Sequence, residues 1–586
     1  MAPPPATAKY DWILALTTIA FVFSAFGNGA NDVANSFATS VAARTLTMPQ
    51  VGFLSICTEF AGAVGLGARV TSTIKNGIIS ISRFRRPGVP PGTLMLAMGC
   101  AEVGSATWLM VATRFGMPVS TTQTVVGALI GVGFATGAPI KWGWASGSVS
   151  QVAASWGIAP MIAAAFSAII FGTVKYAVLE RADSFKWAMR LIPYYFATTA
   201  AVLALFIVVE APTAPSLEEF GAGKAVGIVL GVFFGCLAIA YIFFIPFFER
   251  KLVHKDTRVR IWHVVLGPLL RKENPPLFLL GKERDTYVTN YYADAYGEVR
   301  AGKKDEDTVR QRHSVNGSGE EVIIKPDNHN GHATGEVQSD PEKVTEPTST
   351  TGLRRKLKPE PYERFIGPVL HLSWANPQRW FGYFKYGLLQ GVTRDVITHD
   401  SEELRAIHAK AHRYDVRVEH LWTYCQVISA MMMSIAHGSN DVANAVGPWA
   451  AVYETYQAGE INTTSPTPIW FLVVAGLLLG LGFWFYGYHV MRAMGNKITQ
   501  MSPTRGFAVE LGAAVTVLLA SRLGLPVSTT QCLVGSVMGV ALMNYDVGAV
   551  NWKQLAFIFM GWVATLPAAG LISGILCVMA LNTPHF

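Results

Sequence analysis

The phrase PVSTTQTVVG stands at residues 118–127, and PVSTTQCLVG stands at 526–535. Each sets adjacent hydroxyl residues behind a proline, inside apolar sequence. Pro118 and Pro526 suit the start of a helix, and the Ser and Thr that follow suit the N-cap and first turn. A helix N-terminus presents free N–H groups and the positive end of its dipole. Hydroxyls beside those groups form a cradle for a tetrahedral oxyanion. Ser120, Thr121 and Thr122 are therefore expected to face Ser528, Thr529 and Thr530, with one anion held from both sides by neutral donors. The plainer alternative is capping of two re-entrant helices with no ligand.

A second phrase, NDVAN, also occurs twice, at 31–35 and 440–444. Asp32 and Asn35 share a helix face at this spacing, as do Asp441 and Asn444. An aspartate within a bilayer is costly and marks function by default. Gly27, Gly29 and the polar run predict a stretch that unwinds easily. Carboxylate, amide carbonyl and freed backbone carbonyls are hard oxygen ligands for a small cation such as sodium. A polar helix–helix contact is the plainer alternative, and the duplication argues against it. Cations on Asp32 and Asp441 would supply the countercharge that a neutral cradle lacks. Anion and cation would then favour each other's binding reciprocally.

Glu59, Glu102 and Glu510 are further intramembrane carboxylates, open to the roles of cation ligand, proton carrier or hydrogen-bonded strut. Glu102 and Glu510 each lie 16 residues before their proline, whereas Glu59 aligns near Gly480. His437 stands where the first copy has Asn28, and reads as a satisfied hydrogen-bonding histidine.

These residues need a membrane scaffold, and the composition supplies one. Hydrophobic residues make up 51% of the 586, and charged residues 15%. Between Glu249 and His420 lie 28 of the 47 Lys and Arg and 25 of the 39 Asp and Glu. Elsewhere long runs carry no charge, each about the ~20 residues that cross a bilayer as a helix. The net charge of +8 is read as loop orientation, not nucleic-acid binding. The six cysteines lie in apolar segments and read as small buried hydrophobes rather than a disulfide frame. The start of the chain shows no cleavable signal peptide, so the first apolar segment is expected to serve as membrane signal.

The expected fold is all-α and polytopic, with about twelve transmembrane segments and broken or re-entrant helices at the midplane. Residues 1–175 form a first repeat, 176–248 two added helices, 249–420 a linker with a disordered centre, and 421–586 a second repeat. The NDVAN copies are offset by 409 residues and the PVSTTQ copies by 408. An odd number of segments between equivalent positions inverts the second repeat, a design of secondary transporters. Arg250, Lys251, Lys255, Arg258, Arg260, Lys410, Arg413 and Arg417 place the linker in the cytoplasm. Loop 210–224, the sequon at Asn462 and both termini then fall outside, with Arg83, Arg85 and Arg86 running against the rule. The linker flanks are expected to form short helices on the membrane surface.

GNGANDVANSFATSVAARTLT, AHGSNDVANAVGP and the paired PVSTTQ phrases resemble the inorganic phosphate transporter (PiT) family, especially its fungal sodium/phosphate symporter branch. The resemblance spans both membrane halves and leaves out the linker. It implies sodium-coupled symport of phosphate at the plasma membrane by an inverted-repeat protein, acting as a homodimer. It adds Asn31 and Asn440 to the phosphate-binding hydroxyls. It also adds Gln123 and Gln531 to the sodium ligands Asp32, Asn35, Asp441 and Asn444, and implies that Glu59 and Glu510 are needed for transport, with Glu102 beside them. Sodium is then a co-transported substrate, and no cofactor is expected. Proton coupling, another tetrahedral oxyanion, or a phosphate-sensing receptor with little flux remain alternatives. An enzyme is not expected, since no nucleotide loop, metal histidine pair or nucleophile–base pair stands out.

Overall fold

The structure is a computed structural model. It describes residues 7–145, 147–210, 221–281, 286–292, 359–397, 401–461, 467–495 and 497–583. The centre of the linker and the sequon at Asn462 lie outside the described residues. The described α-helices of seven or more residues are α1 (Asp11–Ala42), α2 (Met48–Leu66), α3 (Ala68–Gly77), α4 (Pro91–Arg114), α5 (Thr121–Thr136), α6 (Val149–Val174), α7 (Ser184–Glu210) and α8 (Ala222–Ile239). They continue with α9 (Pro377–Thr393), α10 (Glu402–Ala409), α11 (Val416–Ala458), α12 (Ile469–Tyr486), α13 (Tyr488–Met494), α14 (Pro503–Arg522), α15 (Thr529–Met543) and α16 (Trp552–Leu581).

Among the described residues, eight helices are long and apolar enough to cross a membrane: those containing α1, α4, α6, α7, α8, α12, α14 and α16. This is fewer than the twelve segments expected. Part of the difference is length: α5 has 16 residues and α15 has 15. At 1.5 Å per residue they reach only about 22–24 Å, short of the ~30 Å bilayer core. The polar NDVAN stretch lowers the mean hydropathy of α11, although it runs for 43 residues.

Recurrent helix contacts bring the two short helices to the centre. Helix α5 packs on α16, where a Cβ at Gly131 would lie 2.1 Å from the Gly570 carbonyl oxygen. Helix α15 packs on α6, where a Cβ at Gly539 would lie 2.1 Å from the Ala164 carbonyl oxygen. Such approach is possible only without a side chain, and small residues serve this purpose between membrane helices. Helices α1 and α11 are correspondingly paired with α12 and α2. A Cβ at Gly29 would fall 1.8 Å from Leu479 O, and one at Gly438 would fall 2.5 Å from Glu59 O. Leu479 thus takes the place of Glu59 in the other copy.

This packing corrects one expectation. The NDVAN stretches are not unwound: α1 and α11 run through them as continuous helices. Gly29 and Gly438 serve close helix contact rather than backbone opening.

Hydrogen-bonded clusters hold the two ends of the bundle. At one end Lys75 pairs with Glu454 at 2.5 Å, both buried. Tyr456 donates to Asp11 there. Arg85 donates to the carbonyl of Ile461 at 3.1 Å. At the other end Arg505 pairs with Asp546 at 2.6 Å. The linker flanks do more than lie on a surface: Tyr291 and Tyr292 are buried, and the Tyr292 hydroxyl donates to Glu419 at 2.5 Å. The cysteines are free, and Cys57 is exposed, against the expectation that all six are buried.

Candidate functional site

Ser120 and Ser528 are the N-caps of α5 and α15. Their Oγ atoms accept from the backbone N–H of Gln123 at 3.2 Å and of Gln531 at 3.3 Å. The helices begin at Thr121 and Thr529, so Pro118 and Pro526 lie in the extended approach, upstream of the first turn. Asn31 and Asn440 fix these approaches. Asn31 Oδ1 accepts from Val119 N at 3.1 Å, and Asn440 Oδ1 from Val527 N at 3.3 Å. Their amide groups donate to the carbonyls of Met117 and Val527, at 3.1 and 2.8 Å. In this conformation both asparagines hold loop backbone.

The two hydroxyl phrases meet. Thr122 Oγ1 donates to Val527 O at 3.0 Å, and Thr530 Oγ1 lies 3.3 Å from Val119 O. Each phrase therefore braces the loop that leads into the other. Between them stand the aspartates. Asp32 accepts from Thr121 Oγ1 at 2.9 Å and from Thr530 Oγ1 at 3.0 Å, one hydroxyl from each phrase. Asp441 accepts from Thr529 Oγ1 at 3.1 Å, with Thr121 Oγ1 at 3.3 Å. Asn35 donates to Thr530 Oγ1 at 2.7 Å, and Asn444 to Thr121 Oγ1 at 3.0 Å. All these residues are buried.

Four amide oxygens in this cluster are buried without a hydrogen-bond partner: Asn35 Oδ1, Asn444 Oδ1, Gln123 Oε1 and Gln531 Oε1. Native structures leave few such atoms unpaired, and each calls for a cause such as an ion. They are hard oxygen donors, the class that binds sodium. Ligand atoms of Asp32, Asp441 and His437 lie within 4.8 Å of one another. The sequence suggests two matched aspartate sites, and the geometry makes them neighbours.

The glutamates separate by environment. Glu510 accepts from Thr39 Oγ1 and Ser40 Oγ at 2.6 Å, Ser429 Oγ at 2.7 Å and Gln426 Nε2 at 3.2 Å. Glu59 accepts from Ser434 Oγ at 2.5 Å and contacts His437 Nδ1 at 2.7 Å. The other ring nitrogen stands 2.9 Å from Asp441 Oδ2, so His437 links Glu59 to the central aspartate. Glu102 is buried apart from these groups. Sequence reasoning does not find Thr39, Ser40, Gln426, Ser429 or Ser434. Their spacing is ordinary for buried helix polar residues, and only the fold aims them at carboxylates.

The chain matches the phosphate transporter family over residues 28–573. It is 36% identical to the phosphate-repressible phosphate permease pho-4 of Neurospora crassa, with 99% of each chain covered. It is 28% identical to the sodium-dependent phosphate transporter 2 of Homo sapiens, over 98% of each chain. A solved structure titled "The sodium-dependent phosphate transporter" shares the fold, with TM-score 0.61 and 23% identity over 97% of this chain and 100% of that one. The chain belongs to the phosphate transporter family, whose members are transporters rather than enzymes, and its apolar helices make it a multi-pass membrane protein.

Proposed function

We propose that this member of the family carries inorganic phosphate into the cell together with sodium, and that the coupling lies in the threonine hydroxyls shared between Asp32 and Asp441. The observation that carries the reading is that Thr121, Thr529 and Thr530 donate to these two carboxylates. A hydroxyl has one proton to donate. While the aspartates take those protons, the cradle has few donors left for an anion. Sodium held by Asp32, Asn35 and Gln123, and by Asp441, Asn444 and Gln531, would satisfy the carboxylates. The threonines would then rotate their protons toward a phosphate between the N-termini of α5 and α15. Ser120 and Ser528 keep a proton to donate, since their caps use only the acceptor side. Asn31 and Asn440 would hold the loops on which the cradle is built. Glu59 acts on Asp441 through His437, and Glu510 locks α14 to α1 and α11.

The sodium-dependent relatives support the choice of cation. The recurrence of the same glycine contacts and loop clamps in both copies supports an inverted repeat of about twelve segments, with α5 and α15 re-entrant at the midplane. The domain limits expected from the sequence fit this arrangement: repeats at 1–175 and 421–586, added helices at 176–248 and a linker at 249–420. The basic linker ends support a cytoplasmic linker with both termini outside. Residence in the plasma membrane and a homodimeric state complete the reading.

Calorimetric titration of phosphate into the full chain, in sodium and in choline at equal ionic strength, tests it. Three hydroxyls freed at about 1 kcal/mol each set an upper bound of ~3 kcal/mol. Couplings of this kind amount to about 5- to 150-fold in affinity. Equal phosphate affinity in the two media would remove the proposed coupling.

A further inference from the structure

Glu102 and Glu510 hold equivalent places in the two copies, yet their surroundings are opposite. The 409-residue offset of the NDVAN motifs converts the four donors of Glu510, namely Thr39, Ser40, Ser429 and Gln426, into Pro448, Trp449, Ala20 and Thr17. Proline and alanine side chains donate nothing. The Trp449 indole N–H is given to Thr18 Oγ1 at 3.1 Å, and the Thr17 hydroxyl to Ile13 O at 2.7 Å. Glu102 is fully buried, and neither of its carboxyl oxygens has a hydrogen-bond partner. Among the described residues the Ser24 hydroxyl is the one polar group close enough to act on the carboxyl, and it falls outside hydrogen-bonding geometry, so burial outweighs it.

No charge compensates it among the described residues. On the helices packed against α4, Asp11 is engaged by Tyr456, Asp32 by the threonines, Glu454 by Lys75, Asp441 by Thr529 and His437, Arg417 by Asp415, Glu419 by Thr504, His420 by Tyr291, and Arg492 by Glu360, while His489 stacks on Tyr488. Helix α5 carries no ionisable group, α16 contributes Cys577, and Lys553 pairs with Glu403. A lone buried carboxylate costs several kcal/mol, and one proton removes the charge that causes most of it.

We infer that Glu102 is a proton-binding site, a neutral acid in this conformation that releases its proton to water when turnover hydrates its surroundings. It is distinct from the sodium ligands and gives phosphate transport a pH dependence of its own.

Infrared difference spectroscopy on the reconstituted full chain tests the site without requiring transport. At neutral pH the parent should show the C=O stretch of a neutral carboxylic acid that Glu102→Gln lacks. An identical band in both proteins would overturn the assignment. Should Glu102→Gln fail to assemble, Glu102→Asp keeps an acid there, and a shifted band assigns the group equally well. An unshifted band would reject it. The second readout rests on the transport reading: phosphate uptake of the parent relative to Glu102→Gln, measured against pH. The ionisation of phosphate is common to both and cancels in the ratio. The ratio should change with pH, approaching about tenfold per unit for one proton. A flat ratio would overturn the pH role. Loss of all uptake in the parent would count against phosphate transport and leave the infrared result standing.

Discussion

Replacing Asp32 by asparagine changes one atom and removes one charge, and the surrounding donors set the cost. Oδ1 accepts from Thr530 Oγ1 at 3.0 Å and Asn35 Nδ2 at 3.3 Å, and Oδ2 from Thr121 Oγ1 at 2.9 Å and Thr121 N at 3.4 Å. The hydroxyls can rotate to accept. The Asn35 amide and the Thr121 N–H cannot. Whichever way the new amide turns, its NH₂ meets one fixed donor, a mismatch costing about 1–3 kcal/mol. The lost attraction between carboxylate and sodium is on the order of 4 kcal/mol, taking about 4 Å and an effective dielectric of ~20. A net loss of about 2–4 kcal/mol raises the half-saturating sodium concentration about 30- to 1000-fold. Initial rates of radiolabelled phosphate uptake into proteoliposomes, with choline replacing sodium, measure it. A half-saturating concentration within about threefold of the parent, under 1 kcal/mol, would refute Asp32 as a cation ligand.

Packing gives further tests. Gly29→Ala forces a Cβ to 1.8 Å from the Leu479 carbonyl oxygen, and overpacking of this kind costs about 1–3 kcal/mol or more. Its thermal unfolding midpoint in detergent should drop, and an unchanged midpoint would show that α1 and α12 do not meet there. Lys75→Met leaves Glu454 as an unpaired buried charge and should cost about 3–5 kcal/mol. Lys75→Met with Glu454→Leu should recover most of that loss in the same assay, whereas a double variant no better than the single would refute the pairing.

The chemistry is legible in the sequence where the residues are costly in a membrane. Nothing in packing alone asks for Asp32, Asp441 and two hydroxyl triplets inside apolar helices, and the structure gathers all of them into one cluster. The paired phrases also announce the two short helices through their N-cap serines. Glycine misleads for a physical reason: Gly29 looks the same in sequence whether it loosens a helix or lets a carbonyl approach. Asn31 and Asn440 carry the signature polar pattern, yet their side chains hold loop backbone, a role set by loops about 87 residues away. The contact of Glu59 with His437 joins residues 378 apart, and no local pattern encodes it. Hydropathy alone does not separate a full crossing from a short apolar helix such as α5, which has only 16 residues.

Sodium bound at the twin aspartates is expected to drive phosphate across the membrane. Radiolabelled phosphate accumulation in proteoliposomes tests it most directly, with an inward sodium gradient compared with an inward proton gradient and with choline. Accumulation above equilibrium is expected only when sodium is the driving ion, collapsing when the gradient is dissipated. Accumulation driven equally well by protons without sodium would contradict it.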